Sequence, residues 1–251
     1  MSIKKLYLIT GGAGFIGSHL IDNLINSGHR ILCIDDLSTG SKKNLTNNKS
    51  IKLLINQLHN IDNIDQEIDG IFHLAAQTSV PLSIDNLYDS SKNNLLGMLK
   101  IWETAKNNNV PIVYASSSAI YGNLPLGNDE KNNYDIISPY AQDKLTMEDY
   151  SAMCYRVYNT PSIGLRFFNV YGPRQDPSSP YSGVISIFID KLLKNKSVTV
   201  NGGYQTRDFV FVEDIINVMI QSMEYLSYEK INTSINVGSG ISITINKLFC
   251  F

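Results

Sequence analysis

The sequence predicts an α/β protein built on a doubly wound parallel sheet, and three observations predict it. Short apolar runs alternate with segments whose apolar residues recur at helical spacing, the pattern of βαβ units. A glycine cluster, Thr10-Gly-Gly-Ala-Gly-Phe-Ile-Gly17, stands where the first strand passes into the first helix. An acid, Asp35, closes the second strand about 20 residues further on.

In chain order, residues 5–10 read as the first strand. Residues 15–26 form a helix, with Ile16, Leu20 and Leu24 on one row, Ile21 and Ile25 beside it, and Gly28 placed to stop it. Residues 30–35 are the second strand, and 50–55 and 70–75 two more. A helix over 93–107 and a strand over 111–116 follow, then a helix over 140–158 and a strand over 162–169. A Pro- and Ser-rich loop, 172–182, leads into a helix ending near Asn195. Short strands at 197–200 and 208–212, a helix over 213–227 and a strand at 234–237 complete the pattern. The expected division is a dinucleotide-binding half over 1–170, with 207–240 returning to it, and a substrate-binding portion over 171–251.

Composition narrows the function classes. The chain has 251 residues, a net charge of −2 and 43% hydrophobic residues. That suits one large domain, or one with a small appendage, that buries its core without staples. Near-neutral charge argues against nucleic acid, whose phosphates call for a basic face. Cys33, Cys154 and Cys250 lie far apart with no CxxC, which suits a reducing compartment and, for the first two, core positions. The opening Met-Ser-Ile-Lys-Lys runs straight into an apolar strand without a signal-type core, and no apolar run is long enough to span a bilayer. A cytoplasmic protein with no membrane partner is expected.

The glycine cluster carries the cofactor signal. Gly12, Gly14 and Gly17 satisfy G-x-G-x-x-G, and Gly11, Gly14 and Gly17 give the related spacing. Such glycines let a pyrophosphate approach a helix N-terminus, where free N–H groups and the dipole favour anions, as in Rossmann-type sheets. Asp35 is placed to bind ribose hydroxyls and to repel a 2′-phosphate, so NAD is favoured over NADP; an ordinary turn acid would occupy the same place, and Asp36 reads as solvated. A second signal is Ser138-Pro-Tyr140-Ala-Gln-Asp-Lys144, where a tyrosine and a lysine stand one helical turn apart. The ammonium favours the ionised phenol. A base near pH 7 requires about three units below the free value, roughly 4 kcal/mol. A solvated amphipathic face would show the same spacing.

Together with Tyr114-Ala-Ser-Ser-Ser-Ala-Ile-Tyr-Gly122, these motifs make the chain resemble the extended short-chain dehydrogenase/reductase family, in its NAD-dependent epimerase/dehydratase group. Asp35-Asp-Leu-Ser-Thr-Gly40, His73-Leu-Ala-Ala76, Arg166-Phe-Phe-Asn169-Val-Tyr-Gly and Thr206-Arg-Asp-Phe209 are similar to motifs of the UDP-sugar 4-epimerases. The block from Gly172 to Val184 looks most like those accepting UDP-N-acetylhexosamines.

The resemblance implies a Rossmann-type sheet with a small C-terminal substrate-binding portion, NAD as cofactor and a UDP-sugar as substrate. It makes Tyr140 the base, Lys144 its electrostatic partner and Ser117 the catalytic hydroxyl, with Ser116 or Ser118 next in line. Cofactor contacts are implied at Gly11, Gly14, Phe15, Ile16 and Gly17, at Asp35, Ser38, Thr39 and Gly40, and at Gln57 and Leu58. Leu74, Ala75, Ala76 and Asn94, with Tyr140 and Lys144, complete that side. Ser79, Ser117, Ser118, Tyr140, Asn169, Gly183, Val184 and Arg207 are implied for the sugar nucleotide, with Arg207 on the diphosphate unless it pairs with Asp208. The helices 93–107 and 140–158 would form a homodimer. His73 reads as a core histidine, and no histidine cluster has metal spacing.

Two departures stand out. Asn56-Gln57 replaces an acid that often touches adenine. Family members continue past Asn236-Val-Gly-Ser-Gly240, whereas here a helix expected from about Ile243 runs into Leu248-Phe-Cys-Phe251, so the resemblance implies an incomplete C-terminal portion. The implied reaction is 4-epimerisation through a 4-keto sugar. A 4,6-dehydratase would call for acids just after the catalytic hydroxyl, where Ser118 and Ala119 stand, and a decarboxylase for one at Ala119. A chain that binds NAD without turnover is a further reading.

Overall fold

The computed structural model describes residues 4–61, 64, 67–124, 133–178, 182–200 and 202–250. Strand β1 (Leu6–Thr10) is buried along its whole length, as a central parallel strand must be. It turns through the glycines into α1 (Phe15–Asn26), which leads to β2 (Arg30–Asp35), β3 (Ile51–Ile55) and β4 (Gly70–His73). Then come α2 (Val80–Asp85), α3 (Leu87–Asn108), β5 (Ile112–Ser117), α4 (Pro139–Tyr158) and β6 (Ser162–Phe167). The remainder is β7 (Asn169–Tyr171), α5 (Val184–Leu193), β8 (Thr206–Phe211), α6 (Val212–Leu226), β9 (Asn232–Val237), β10 (Ser242–Thr244) and α7 (Ile245–Phe249). Asn109 and Asn159 end α3 and α4 with φ of 53° and 54°, a left-handed stop that asparagine tolerates.

Seven strands form one sheet in the order β3-β2-β1-β4-β5-β6-β9, every pair parallel. The chain winds outward from β1 to β3, then returns to β4 and winds the other way. Strand alternation divides the core between two faces. Tyr7, Ile9, Ile31 and Cys33 meet Leu20 and Leu24 of α1 and Ile215, Ile216 and Met219 of α6. Leu6, Leu8, Leu32 and Ile34 share a cluster with Met98, Ile101 and Trp102 of α3 and Met147 and Cys154 of α4. The winding reverses between β1 and β4, and α/β sheets bind ligands at such a switch point, outside the strands' C-terminal ends. A small second sheet, β10-β8-β7, lies beyond β6.

Several sequence expectations need correction. The strand expected over 162–169 is two: Phe168 bonds back to Val237 O at 3.1 Å, and from Asn169 the chain pairs with β8. The strand expected at 197–200 does not form, and the small sheet is β10-β8-β7. The helix expected from residue 93 starts at Leu87 and is preceded by α2. The exposed Leu87 and Tyr88 interrupt the amphipathic pattern that would have shown that first turn. At the C-terminal side, β10 takes Ser242–Thr244, and α7 begins two residues later than expected.

Candidate active site

The glycine loop is held in place by its own backbone and by Asp35. Gly11 has φ +69°, and a Cβ there would meet Ala75 N at 2.7 Å; on Gly17 it would meet Gly11 O at 2.2 Å. Gly12 is filled from behind by Cys33 and Ile21. Gly14 differs, since a Cβ there would meet only Gly11 O, at 3.2 Å. Gly14 caps α1 without a side-chain bond, so the N–H groups of the first turn are left for a ligand. The missing side chain at Gly14 and the donors behind it fit a dinucleotide pyrophosphate. Phe15 and Ile16, in that first turn, are half-buried.

Asp35 is buried and accepts from Ala13 N at 2.9 Å and Leu37 N at 2.8 Å. Burial raises its carboxyl, with those two bonds opposing. Its remaining lone pairs suit ribose hydroxyls. Gly40 closes over this carboxylate, a Cβ there being 2.9 Å from Asp35 Oδ1. Ser38 and Thr39 are exposed on the turn between, where Ser38 N and Oγ both donate to Asp36 Oδ1. Asp36 thus orders the turn as well as facing solvent. Beyond β3, Gln57 is exposed, whereas the Leu58 side chain is buried among α3 residues and leaves only its backbone for a ligand.

On the far wall, Leu74, Ala75 and Ala76 follow β4 half-buried. Thr10 fastens them, with Oγ1 accepting from Leu74 N and Ala75 N at 3.2 Å each. His73 is 2% exposed, beside Thr10 at 2.7 Å, and burial holds its pKa down at about 3. Asn94 is 2% exposed and is used up structurally: it accepts from Gln77 N at 2.8 Å and donates to Gln77 O and Asp143 Oδ2. It shapes the loop after β4. Ser79 caps α2, accepting from Leu82 N at 3.1 Å.

The proton-transfer candidates converge at the end of β5. Ser138 caps α4 through Ala141 N, and Pro139 opens the helix, which puts Tyr140 and Lys144 in its first turns. The Ser117 hydroxyl lies near enough to Tyr140 to favour its ionised phenol. Ser117 Oγ accepts from Ala119 N at 3.1 Å, which leaves its O–H free to donate toward the phenol. Ser118 and Ala119 continue into a short 3-10 turn. Ser116 faces the other way, 2% exposed and bonded to Glu148, so the hydroxyl brought to Tyr140 is that of Ser117.

Burial works against the ionised phenol. It raises Tyr140, opposed by the Ser117 hydroxyl and reinforced by Asp143. Lys144 Nζ is 5.8 Å from the tyrosine ring centroid and donates to Ala115 O at 2.7 Å. Burial brings Lys144 itself down to about 8, against the pull of Asp143 and Glu148.

Sequence reasoning missed the cluster behind this pair. Arg166 grips Glu148 with Nε at 3.0 Å and Nη2 at 2.6 Å. Arg166 also donates to the hydroxyls of Tyr121 and Tyr134, each at 2.9 Å. Burial opposes its charge, and the Glu148 fork more than offsets that. The signal was available: Glu148 follows Lys144 at the same four-residue interval that separates Lys144 from Tyr140.

The sugar-side residues fall on the small sheet and α5. Asn169 begins β7 and donates to Asp208 O at 3.1 Å. Arg207 is exposed on β8, its Nη1 donating to Thr206 O. It does not pair with Asp208, whose carboxylate takes Ser239 N, Ser239 Oγ and Gly240 N instead. Gly183 caps α5 against Gln175, and Val184 is the first helical residue. Residues 179–181 of the hexosamine-like block lie outside the described residues.

Comparison with known proteins finds relatives that match nearly the whole chain. A putative UDP-glucose 4-epimerase of Methanocaldococcus jannaschii is 38% identical over 255 residues, 97% of this chain and 80% of its own. A solved UDP-N-acetylglucosamine 4-epimerase from Methanobrevibacter ruminantium M1, in complex with UDP-N-acetylmuramic acid, superposes with a TM-score of 0.91 at 39% identity. It covers 99% of this chain and 81% of that one. A UDP-N-acetyl-alpha-D-glucosaminuronate decarboxylase of Bacillus cytotoxicus is 34% identical over 94% of this chain and 76% of its own length. The family model for the NAD dependent epimerase/dehydratase family matches residues 7–238, a span that runs from β1 through the glycine loop and the Tyr140–Lys144 pair to β9. The chain belongs to that family.

Proposed function

We propose that this chain interconverts the C4 epimers of a UDP-sugar, UDP-GlcNAc/UDP-GalNAc or UDP-Glc/UDP-Gal, through a 4-keto sugar. The observation that carries the reading is the hydroxyl–phenol–ammonium set with no acid following it: Ser118 and Ala119 stand where a dehydratase or decarboxylase calls for carboxylates. The buried acids of the same helix are engaged elsewhere, Glu148 by Arg166 and Ser116 and Asp143 by Asn94.

In this reading Gly11, Gly14 and Gly17 admit the pyrophosphate of NAD, Asp35 takes its adenine ribose, and Tyr140 and Lys144 lie at its nicotinamide end. When bound, NAD supplies the hydride acceptor and donor for C4 and a positive charge beside the phenol. Tyr140 takes the 4-hydroxyl proton, directly or through Ser117, and returns it after the keto sugar has turned over. Ser117 steadies the phenolate by donating to it, and Lys144 keeps a cation nearby. Asn169, Gly183, Val184 and Arg207 hold the sugar nucleotide, with the Arg207 guanidinium matched to diphosphate oxygens. The exposed Leu96, Leu99 and Tyr150 on α3 and α4 support pairing of two chains through those helices. Among the described residues no helix is long and apolar enough to cross a membrane, which is consistent with a cytoplasmic site of action.

The test is incubation with UDP-GlcNAc and with UDP-Glc, without added reductant, followed by chromatography. Formation of the 4-epimer, abolished in Tyr140→Phe, is expected. Bound NAD with no turnover of either sugar favours a non-catalytic dinucleotide-binding chain. A 4-keto-6-deoxy product identifies a dehydratase instead.

A further inference from the structure

Helix α4 carries a third polar group on the stripe of Tyr140 and Lys144. Glu148 lies one further turn along, 8% exposed, with both oxygens engaged. Its Oε2 takes Arg166 Nη2, and its Oε1 takes both Arg166 Nε and the Ser116 hydroxyl. Arg166 is fixed in turn by Tyr121 and Tyr134, and Tyr121 reaches Asn236 Oδ1 on β9 at 2.6 Å. One buried cluster therefore ties α4 to β5, β6 and β9.

The Arg166–Glu148 fork alone would staple β6 to α4. The bond to Ser116 adds something else, because Ser116 and Ser117 are consecutive residues of β5 and their side chains leave the strand on opposite sides. Anchoring Ser116 from behind fixes how far the strand end projects, and with it the Ser117 hydroxyl in front. We propose that Glu148 is a positioning residue for proton transfer: clamped by Arg166, it holds Ser116 and so sets Ser117 against Tyr140. Arg166 serves the same purpose one step further back, since it fixes the carboxylate. This rests on the reading of Ser117 and Tyr140 as the proton-transfer pair.

The test uses Ser116→Ala, which removes one hydroxyl and leaves the ion pair, together with Glu148→Gln. In the full chain labelled with carbon-13 at tyrosine Cζ, the Tyr140 resonance is assigned by its loss in Tyr140→Phe. Its titration midpoint is expected to rise in Ser116→Ala, because the Ser117 hydroxyl that favours the phenolate is held less well in place. The kcat for epimerisation is expected to fall about 10-fold or more, with KM changed less than about 2-fold. Glu148→Gln, which keeps an acceptor for Ser116 on a weakened fork, is expected to fall between Ser116→Ala and wild type in midpoint. A lowered melting temperature with the Tyr140 midpoint and kcat of Ser116→Ala unchanged means a staple only, and overturns the inference. If wild type turns over no UDP-sugar, the proposed reaction fails, and the Tyr140 midpoint in Ser116→Ala still decides the positioning: a rise supports it and no change overturns it.

Discussion

Thr10 and His73 stand opposite each other at the C-terminal ends of β1 and β4 and share a hydrogen bond of 2.7 Å between Oγ1 and Nδ1. The direction of that bond follows from the other contacts. Thr10 Oγ1 already accepts from Leu74 N and Ala75 N, so its own hydrogen goes to Nδ1. The ring is then neutral, with its proton on Nε2, and the two strands at the switch point are joined by side chains as well as by backbone.

Thr10→Val keeps the shape and removes the hydroxyl. Ala75 N–H and His73 Nδ1 lose their partner, whereas Leu74 N retains the Thr10 carbonyl at 3.1 Å. A loss of about 1–3 kcal/mol is expected from urea unfolding at neutral pH.

His73 also sets an acid limit. Burial, and then the Lys144 charge, holds its folded pKa at about 3. That lies below the unfolded value of about 6.5. The stability it contributes is complete above the unfolded value and is lost as pH falls toward the folded one. Across that window the stability of wild type should slope more steeply than that of His73→Leu by up to about 1.4 kcal/mol per pH unit. Parallel curves would mean that the ring takes up its proton while folded.

Lys144 is likewise a base that is cationic when protonated, and it shifts in the same direction. Burial lowers it to about 8 against Asp143 and Glu148. The neutral amine is favoured in the folded state, so stability from this group is complete above the unfolded value of about 10.4 and is lost as pH falls toward the folded one. Thermal melts should show wild type gaining on Lys144→Met between those limits, by an order of 3 kcal/mol in all. Epimerase activity should decline over the same rise, as the cation beside Tyr140 disappears.

The glycines should separate by what surrounds them. Gly17→Ala drives a Cβ to 2.2 Å from Gly11 O, and Gly11→Ala adds a strained φ of +69° to a contact of 2.7 Å with Ala75 N. Both should melt at clearly lower temperature. Gly14→Ala meets only Gly11 O at 3.2 Å, so it should fold near normally and lose affinity in an NAD titration. Unchanged affinity in Gly14→Ala would place the pyrophosphate elsewhere.

The parallel sheet was legible because its strands are apolar on both faces and punctuated by glycine and asparagine; α1 and β2 fall at the residues the pattern gave. Pairing is less legible. Nothing in Ser162–Tyr171 marks Phe168 as the point where one sheet is left and another joined, since that depends on β8 and β9 being present on either side. The chemistry-bearing residues were legible as a spacing on α4 and a serine run on β5. Which serine faces Tyr140 was not decided by spacing, because the answer lies in Glu148 holding Ser116 from behind. The raised phenol was hidden for a similar reason: one turn of helix gives the distance to Lys144 but not the depth of burial, which dominates.

The break at Phe168 has an evolutionary consequence. Arg166, which braces the proton-transfer end, and Asn169, which starts the small sheet, are separated by two residues. In the proposed reading, Asn169 on β7 and Arg207 on β8 can therefore be exchanged while the chemistry upstream keeps its bracing. A scaffold divided in this way would let descendants change the sugar they accept by editing one end of the chain, while the fate of a keto sugar is set separately, upstream at Ser118 and Ala119.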